Sequence, residues 1–404
     1  MKGRKKIIAA GCIFLTGLLE LCGCGNPSSD SVTEQITEAD VGERQTVGNV
    51  GEGLVYESSM ELQYAQNFSV DYFEGGYTLL TIVDGTKILV VPEEGDIPED
   101  LEDGVIVLKR PVRNLYLVAS AVMDMFDALD AVDTIRLSGQ KEEGWYIEAA
   151  REAMEKGDMI YAGKYNQPDY ELIVSENCSL AIENRMISHS PEVLEMMENF
   201  EIPAMIEYSS YEPHPLGRVE WVRFFGALVG KEEEAREAFE EQTAILHKVT
   251  ADAGTDGTVA FFFITSNGLV QVRQSSDYVP KMIELAGGRY IFDQLGDPES
   301  ARSTLNMQVE EFYNGAKDAD FIIYNSSIDG GVATIEELLA KCSILEDFAA
   351  VQNGNVWCTT NDMYQQSMSI GFLIEDIHNM LMGEGEEKMT FLYRIKQGGM
   401  DAVE

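Results

Sequence analysis

Two blocks of short apolar runs alternating with helical stretches, joined by one long helical segment, constrain this 404-residue chain more than any other feature. The first block starts near residue 112. Its expected elements are a helix over 115–128, a strand over 133–137, a helix over 146–156 closed by Gly157, and a strand over 159–162. A helical turn over 170–174, a strand over 180–182, the helix Pro191–Asn199 and a strand over 203–208 complete it. The second block opens with the strand Thr258–Ile264, all apolar after Thr258. It continues through strands at Val270–Arg273, Phe321–Tyr324 and 356–358, and helices at Tyr278–Leu285, Val309–Ala316, Ile335–Lys341 and 366–381. Strands this short and this apolar are covered on both faces, which is the pattern of parallel sheets flanked by helices. Between the blocks, residues 216–252 read as helix with a break at Gly230, and Ala235, Ala238, Phe239, Ile245 and Val249 share one broad face.

The first residues add a different kind of constraint. Lys2, Arg4, Lys5 and Lys6 precede an apolar run from Ile7 to Leu19, the length of a signal-peptide core and short for a membrane span. Leu21-Cys22-Gly23-Cys24 follows and resembles the bacterial lipobox, which implies lipidation at Cys24. Residues 1–23 are therefore expected to be a signal peptide, and residues 24–53, polar, acidic and without periodicity, a lipidated flexible tether. Two acyl chains suffice for stable anchoring on the outer side of a membrane. No later segment has 18 consecutive apolar residues, so the expected membrane contact is the lipid alone.

With 29 Lys+Arg against 70 Asp+Glu, the formal net charge is −41. That argues against nucleic acid and against adhesion to an anionic bilayer, both of which need a basic surface. The 37 aromatic residues argue against disorder. Residues 62–91 read as β structure, with Asp84-Gly85 between two β-rich runs as a hairpin signal. Cys178, Cys342 and Cys358 are odd in number and widely spaced, and they read as buried free thiols. His189, His214, His247 and His378 are too dispersed for a metal site. The chain contains no nucleophile elbow, no metalloprotease helix motif and no phosphate-binding loop, so nothing marks it as an enzyme.

Several segments carry a family resemblance. PDYELIVSENCSLAI and LNMQVEEFYNGAKDADFIIYN each offer a Glu-bearing helix followed by a strand, in corresponding slots of the two blocks. HPLGRVEWVRFFGALVGKEEEA, MIELAGGRYIF and AVQNGNVW follow in the matching order. Together with the lipobox, these resemble the substrate-binding lipoproteins of iron–siderophore and cobalamin ABC importers, over roughly residues 110 to 400. The resemblance implies an α/β fold of two lobes, each a mainly parallel sheet flanked by helices, bridged by a long stiff backbone helix and closing little on ligand. The region of residues 60–92 stands apart as an extra N-terminal β-hairpin. The implied division is an N-terminal lobe over 54–215, a bridging segment over 216–252 and a C-terminal lobe over 253–404. It further implies a monomer that docks on an importer permease through a Glu on each lobe. Glu171 matches on one lobe, and Glu310 or its neighbour Glu311 on the other. The implied ligand is a metal chelate, an iron–siderophore first and cobalamin or haem next, with no resident cofactor or metal.

Ligands of open α/β sheets bind beyond the carboxyl ends of the strands. In so acidic a chain, cations there are informative. Lys141, Lys164, Arg185 and Arg273 stand at or near such ends. Lys164, Tyr165, Arg185, Tyr211, Arg273, Gln274, Asn325 and Tyr364 are the candidate ligand contacts, with Trp145 as an apolar wall.

Overall fold

Turn chemistry builds the first sheet of the computed structural model, which describes residues 50–51, 53–251, 254–296 and 303–396. The signal segment, Cys24 and nearly all of the expected tether lie outside the described residues. Strands β1 (Tyr56–Ser59), β2 (Phe68–Phe73), β3 (Tyr77–Ile82), β4 (Lys87–Val91) and β5 (Ile106–Lys109) lie side by side in that order. The first four are antiparallel and β5 runs parallel to β4. Gly85, at φ 94°, closes the β3–β4 turn expected from Asp84-Gly85. Gly75 and Gly76, both at φ 85°, close a second hairpin between β2 and β3. The extra region is thus a five-stranded sheet rather than a single hairpin. Val50 is already buried against Phe73 and Leu79, so the fold begins a few residues before the expected end of the tether.

The N-terminal lobe holds β6 (Leu115–Leu117), β7 (Ile135–Ser138), β8 (Ile160–Tyr161), a small ribbon of β9 (Gly163–Lys164) and β10 (Gln167–Pro168), then β11 (Leu180–Glu183) and β12 (Ala204–Ile206). Its sheet has the order β12-β11-β6-β7-β8 and is parallel throughout. The expected helix over 115–128 is a correction. Leu115–Leu117 is the central strand β6, and only Met123–Ala128 is α-helical. A continuously buried apolar run has no periodicity that separates strand from helix. Helix Pro191–Asn199 is as expected, with Pro at its first turn. Gly157, left-handed at φ 79°, ends the helix Glu148–Lys156.

The bridging segment is the helix Pro215–Val229, a left-handed Gly230, and the helix Glu232–Thr250. The nineteen residues of the second helix rise about 28 Å. The first helix is buried along almost its whole length, which is why it shows no clear polar face. The two cross closely at Gly226, where a Cβ would stand 2.5 Å from that of Ala235.

The C-terminal lobe comprises β13 (Thr258–Ile264), β14 (Val270–Arg273), β15 (Arg289–Tyr290), β16 (Thr304–Met307), β17 (Phe321–Tyr324), β18 (Val356–Thr359) and β19 (Leu392–Arg394). Its sheet order is β16-β14-β13-β17-β18-β19, with β15 beside β13. The centre, β13, β17 and β18, is parallel, and β14, β16 and β19 add antiparallel edges.

One continuous apolar core runs through both lobes and the N-terminal sheet, joining Phe68, Leu115, Trp221, Phe239, Tyr278 and Ile374. Polar ties reinforce it. The Gln365 side-chain amide accepts from the Tyr146 N–H (2.9 Å) and donates to the Gly144 carbonyl (2.8 Å). Ser367 Oγ donates to the Ala121 carbonyl, and the Asp124 carboxylate accepts from the Met368 N–H, both at 2.6 Å. The N-terminal sheet is fastened differently. Two buried glutamates, Glu220 in the first bridging helix and Glu212 just before it, hold five consecutive backbone amides. Glu220 accepts from Gln63, Tyr64 and Ala65, and Glu212 from Gln66 and Asn67. Phe68 then packs edge-on against Trp221 (4.9 Å) and Phe224 (5.4 Å).

Candidate functional site: an arginine-lined cleft between the lobes

The strand order puts the carboxyl ends of β6, β11 and β12 beside the C-terminal end of β14. A cleft of about 330 Å³ lies among them, lined by Ser120, Asn184, Glu207, Ser210, Tyr211, Arg218, Arg273, Asp277, Tyr278 and Tyr364, among others. Both lobes and the first bridging helix contribute.

Arg218 sits in the first turn of the helix Pro215–Val229 and is buried. Its guanidinium carbon lies 3.9 Å from the centroid of the Tyr278 ring. Nη1 donates to the Ser210 carbonyl at 2.8 Å, while Nε has no hydrogen-bond partner among the described residues. Arg273 ends β14. It donates to the Tyr364 hydroxyl, lies 3.5 Å from the Asp277 carboxylate, and faces the rings of Tyr364 (5.4 Å) and Tyr278 (5.9 Å). Asn325, at the end of β17, donates to the same Tyr364 hydroxyl at 2.8 Å. Burial pushes that phenol up to about 12, so it stays a neutral hydrogen-bonding group.

The acids of the cleft are consumed internally. Asp277 caps the helix Tyr278–Leu285 by accepting from the Val279 N–H and also faces Arg273. Glu207 accepts from both the N–H and the hydroxyl of Ser209. Burial raises its carboxyl, and Ser209 and Arg218 act against that rise. Arg218 Nε is a buried donor without a partner among the described residues, and guanidinium selects carboxylates and other planar anions.

Arg273, Tyr364 and Asn325 come together at this cleft, and Tyr211 lines it. Arg185 stands at the rim, half-buried, its guanidinium carbon 4.2 Å from the Tyr211 ring centroid. The other expected contacts lie elsewhere. Trp145 is only 3% exposed and donates its indole N–H to Ser138 Oγ, so it fills the N-terminal lobe core instead of walling the cleft. Gln274 is 1% exposed and tucked against Gly296, where no Cβ fits. Tyr165 packs half-buried on the N-terminal lobe's outer apolar layer. Lys164 is exposed on the β9–β10 ribbon, away from the cleft lining. A two-residue strand followed by a turn carries its side chains out of the layer that a longer strand would aim at the cleft. Arg136, inside β7, is spent on Glu176 and on the carbonyls of Gly157 and Asp158.

Strand-end reasoning misses Arg218 because it lies on a helix. A signal for it exists: PLGRVEWVRFFGALV is a mostly apolar helix that nonetheless carries Arg218, Glu220 and Arg223. Charges in such a helix are buried for a purpose. Glu171, in the first turn of the helix Tyr170–Ser175, and Glu310 and Glu311, in that of Val309–Ala316, are exposed and without ion pairs among the described residues. Cys178, Cys342 and Cys358 are free thiols. Among the described residues, no group of three or more His, Cys, Asp or Glu side chains is placed to hold a metal ion, and no helix is long and apolar enough to cross a membrane.

No family model matches the chain. It is 26% identical over 381 residues to an uncharacterized lipoprotein of Methanocaldococcus jannaschii, covering 89% of each chain. Among solved structures, it superimposes on an ABC transporter substrate-binding protein from Listeria monocytogenes with a TM-score of 0.52 at 16% identity, covering 67% of this chain and 98% of that one. An ABC-type Fe3+-hydroxamate transport protein from Saccharomonospora viridis gives a TM-score of 0.51 at 16% identity, over 67% and 93%. The fold is that of these binding proteins: two α/β lobes joined by a long helix, here with an added N-terminal sheet.

Proposed function

We propose that the chain is the extracytoplasmic, lipid-anchored substrate-binding component of an ABC importer, holding an anionic metal chelate in the inter-lobe cleft. An iron–siderophore complex is the first choice of ligand, with cobalamin or haem next. The observation that carries this reading is Arg218: a buried guanidinium in the cleft, on the bridging helix, stacked on Tyr278 of the C-terminal lobe and with Nε unpartnered among the described residues. A buried donor left unsatisfied costs on the order of 1–3 kcal/mol, and an anionic ligand removes that cost. Cys24 is the anchor in this reading, and the protein acts as a monomer whose only contact with the bilayer is the lipid.

Two experiments test it. Purified protein titrated with ferric siderophores, haem and cobalamin, followed by tryptophan quenching, is expected to bind at least one anionic chelate. Arg218→Ala is expected to weaken that binding by about 1.5–3 kcal/mol, the range for a charge-assisted hydrogen bond. Full affinity in the variant would remove Arg218 from the site. Delivery is tested separately: Glu171→Lys with Glu310→Lys is expected to abolish uptake while leaving ligand affinity unchanged, because exposed charge pairs set docking orientation rather than cleft chemistry. Unchanged uptake, with Glu311→Lys added, would exclude these positions from permease docking.

A further inference from the structure

Two carboxylates line the cleft, Asp277 and Glu207. The charge of Asp277 is matched by Arg273 at 3.5 Å. Glu207, which directly follows β12, is 3% exposed and forms no ion pair among the described residues. Only Oε2 is engaged: it accepts from the Ser209 N–H at 2.8 Å and from the Ser209 hydroxyl at 2.5 Å. Oε1 has no hydrogen-bond partner among the described residues, which leaves it as the place for a proton. Arg218 meets the same short turn, Ser209–Tyr211, by donating from Nη1 to the Ser210 carbonyl at 2.8 Å. One turn thus ties the uncompensated carboxylate to the guanidinium that receives the ligand's charge.

The other ionisable groups around Glu207 come from three directions. On the neighbouring strand, the Glu183 carbonyl accepts the Glu207 N–H at 2.8 Å, and the Glu183 carboxyl is buried outside the cleft lining. Tyr208 and Tyr211 adjoin or belong to the turn and stack beneath Arg185. Across the cleft, the C-terminal lobe presents Arg273, Asp277, Tyr278 and Tyr364. An anion arriving at Arg218 adds a second negative charge to a poorly hydrated site that already holds one. Like charges so placed are relieved by protonating one of them. The same anion cancels the field of Arg218 that favours ionised Glu207.

We propose that the cleft takes its anion together with one proton from solvent, held on Oε1 of Glu207, so that affinity for the anion falls as pH rises. The inference rests on the substrate-binding reading above and adds to it the residue that sets how much negative charge the site accepts. No bond of the ligand changes. Glu207 holds its proton more tightly in the complex than in the free protein. The gain in affinity is therefore complete below the free protein's titration and is lost as pH rises through that of the complex.

The test titrates the mature chain with two anionic chelates of different bulk, ferric enterobactin and cobalt(III)–EDTA, whose charges stay fixed between about pH 6 and 9. Wild-type affinity is expected to fall about tenfold per pH unit over part of that range. Glu207→Gln keeps an acceptor for Ser209 and carries no charge, so its affinity is expected to change under twofold throughout. Glu183→Gln is expected to keep the wild-type slope. Calorimetry in buffers of different ionisation enthalpy is expected to show about one proton taken up by wild type at the steepest pH and none by Glu207→Gln. A slope that persists in Glu207→Gln, a slope abolished by Glu183→Gln, or binding without proton uptake at any pH would each overturn the inference and leave the substrate-binding reading standing. If neither wild type nor Glu207→Gln binds these probes or any other anionic chelate at any pH, the substrate-binding reading falls and the inference with it.

Discussion

Replacing Glu183 with Gln is expected to stabilise the protein by about 3 kcal/mol at pH 7 and to leave its stability near pH 5 almost unchanged. Glu183 ends β11, is fully buried, and has no hydrogen-bond partner for either oxygen among the described residues. Burial in the N-terminal lobe pushes its carboxyl up to about 8. Because the folded value lies above the unfolded one, the native state binds the proton more tightly. Its stabilising contribution is complete below the unfolded value and is lost as pH rises through the folded one. The loss runs at about 1.4 kcal/mol per pH unit across that window. Gln has nearly the same shape and no charge to desolvate. Thermal melts of wild type and Glu183→Gln from pH 5 to 9 are therefore expected to diverge steadily up to about pH 8, with a gap of about 4 °C at neutral pH for a fold of this size. Asp124 and Asp376, both pushed up to about 6 by burial, leave a residual slope below neutrality in both proteins. Parallel curves would show that Glu183 is solvated or paired in solution.

Glu220→Ala is expected to cost about 4 kcal/mol and to release the segment between β1 and β2 first. Its carboxylate is completely buried, accepts three backbone N–H bonds between 2.8 and 2.9 Å, and pairs with Arg223 at 3.0 Å. Truncation strands those donors and leaves a partly buried guanidinium without its partner, and each of these effects costs on the order of 1–3 kcal/mol. Glu220→Gln keeps one acceptor oxygen but turns an NH2 toward the amides, so about half the loss is expected. Chemical denaturation measures the magnitude, and limited proteolysis between residues 59 and 68 reports where the structure opens. A loss under about 1 kcal/mol for Glu220→Ala would mean that the Phe68–Trp221–Phe224 packing holds the sheet alone.

These residues also mark where the sequence is readable. Thr258–Ile264, Tyr278–Leu285, Val309–Ala316 and Phe321–Tyr324 are local statements: a strand buried on both faces or a helix with one apolar face carries its pattern within a few residues. The lobe–bridge–lobe order follows from their sequence along the chain. The error at Leu115–Leu117 arises where burial erases periodicity, and the second hairpin at Gly75-Gly76 is a turn signal that the Asp84-Gly85 pair overshadows. Within the site, Arg273, Asn325 and Tyr364 are legible because strand ends point to a cleft. Trp145 and Gln274 are not, since residues next to a strand end turn inward as readily as outward.

The charge imbalance, the alternation of elements and the basic strand ends were determined by the sequence alone, because composition and short-range periodicity are properties of neighbours in the chain. Tertiary structure decided which charges are buried. Glu220 clasps amides some 155 residues away, Arg218 of the bridging helix stacks on a tyrosine of the C-terminal lobe, and Glu183 has no hydrogen-bond partner among the described residues. A charge's surroundings are set by segments distant in sequence, and whether it is solvated, paired or stranded follows from how those segments pack.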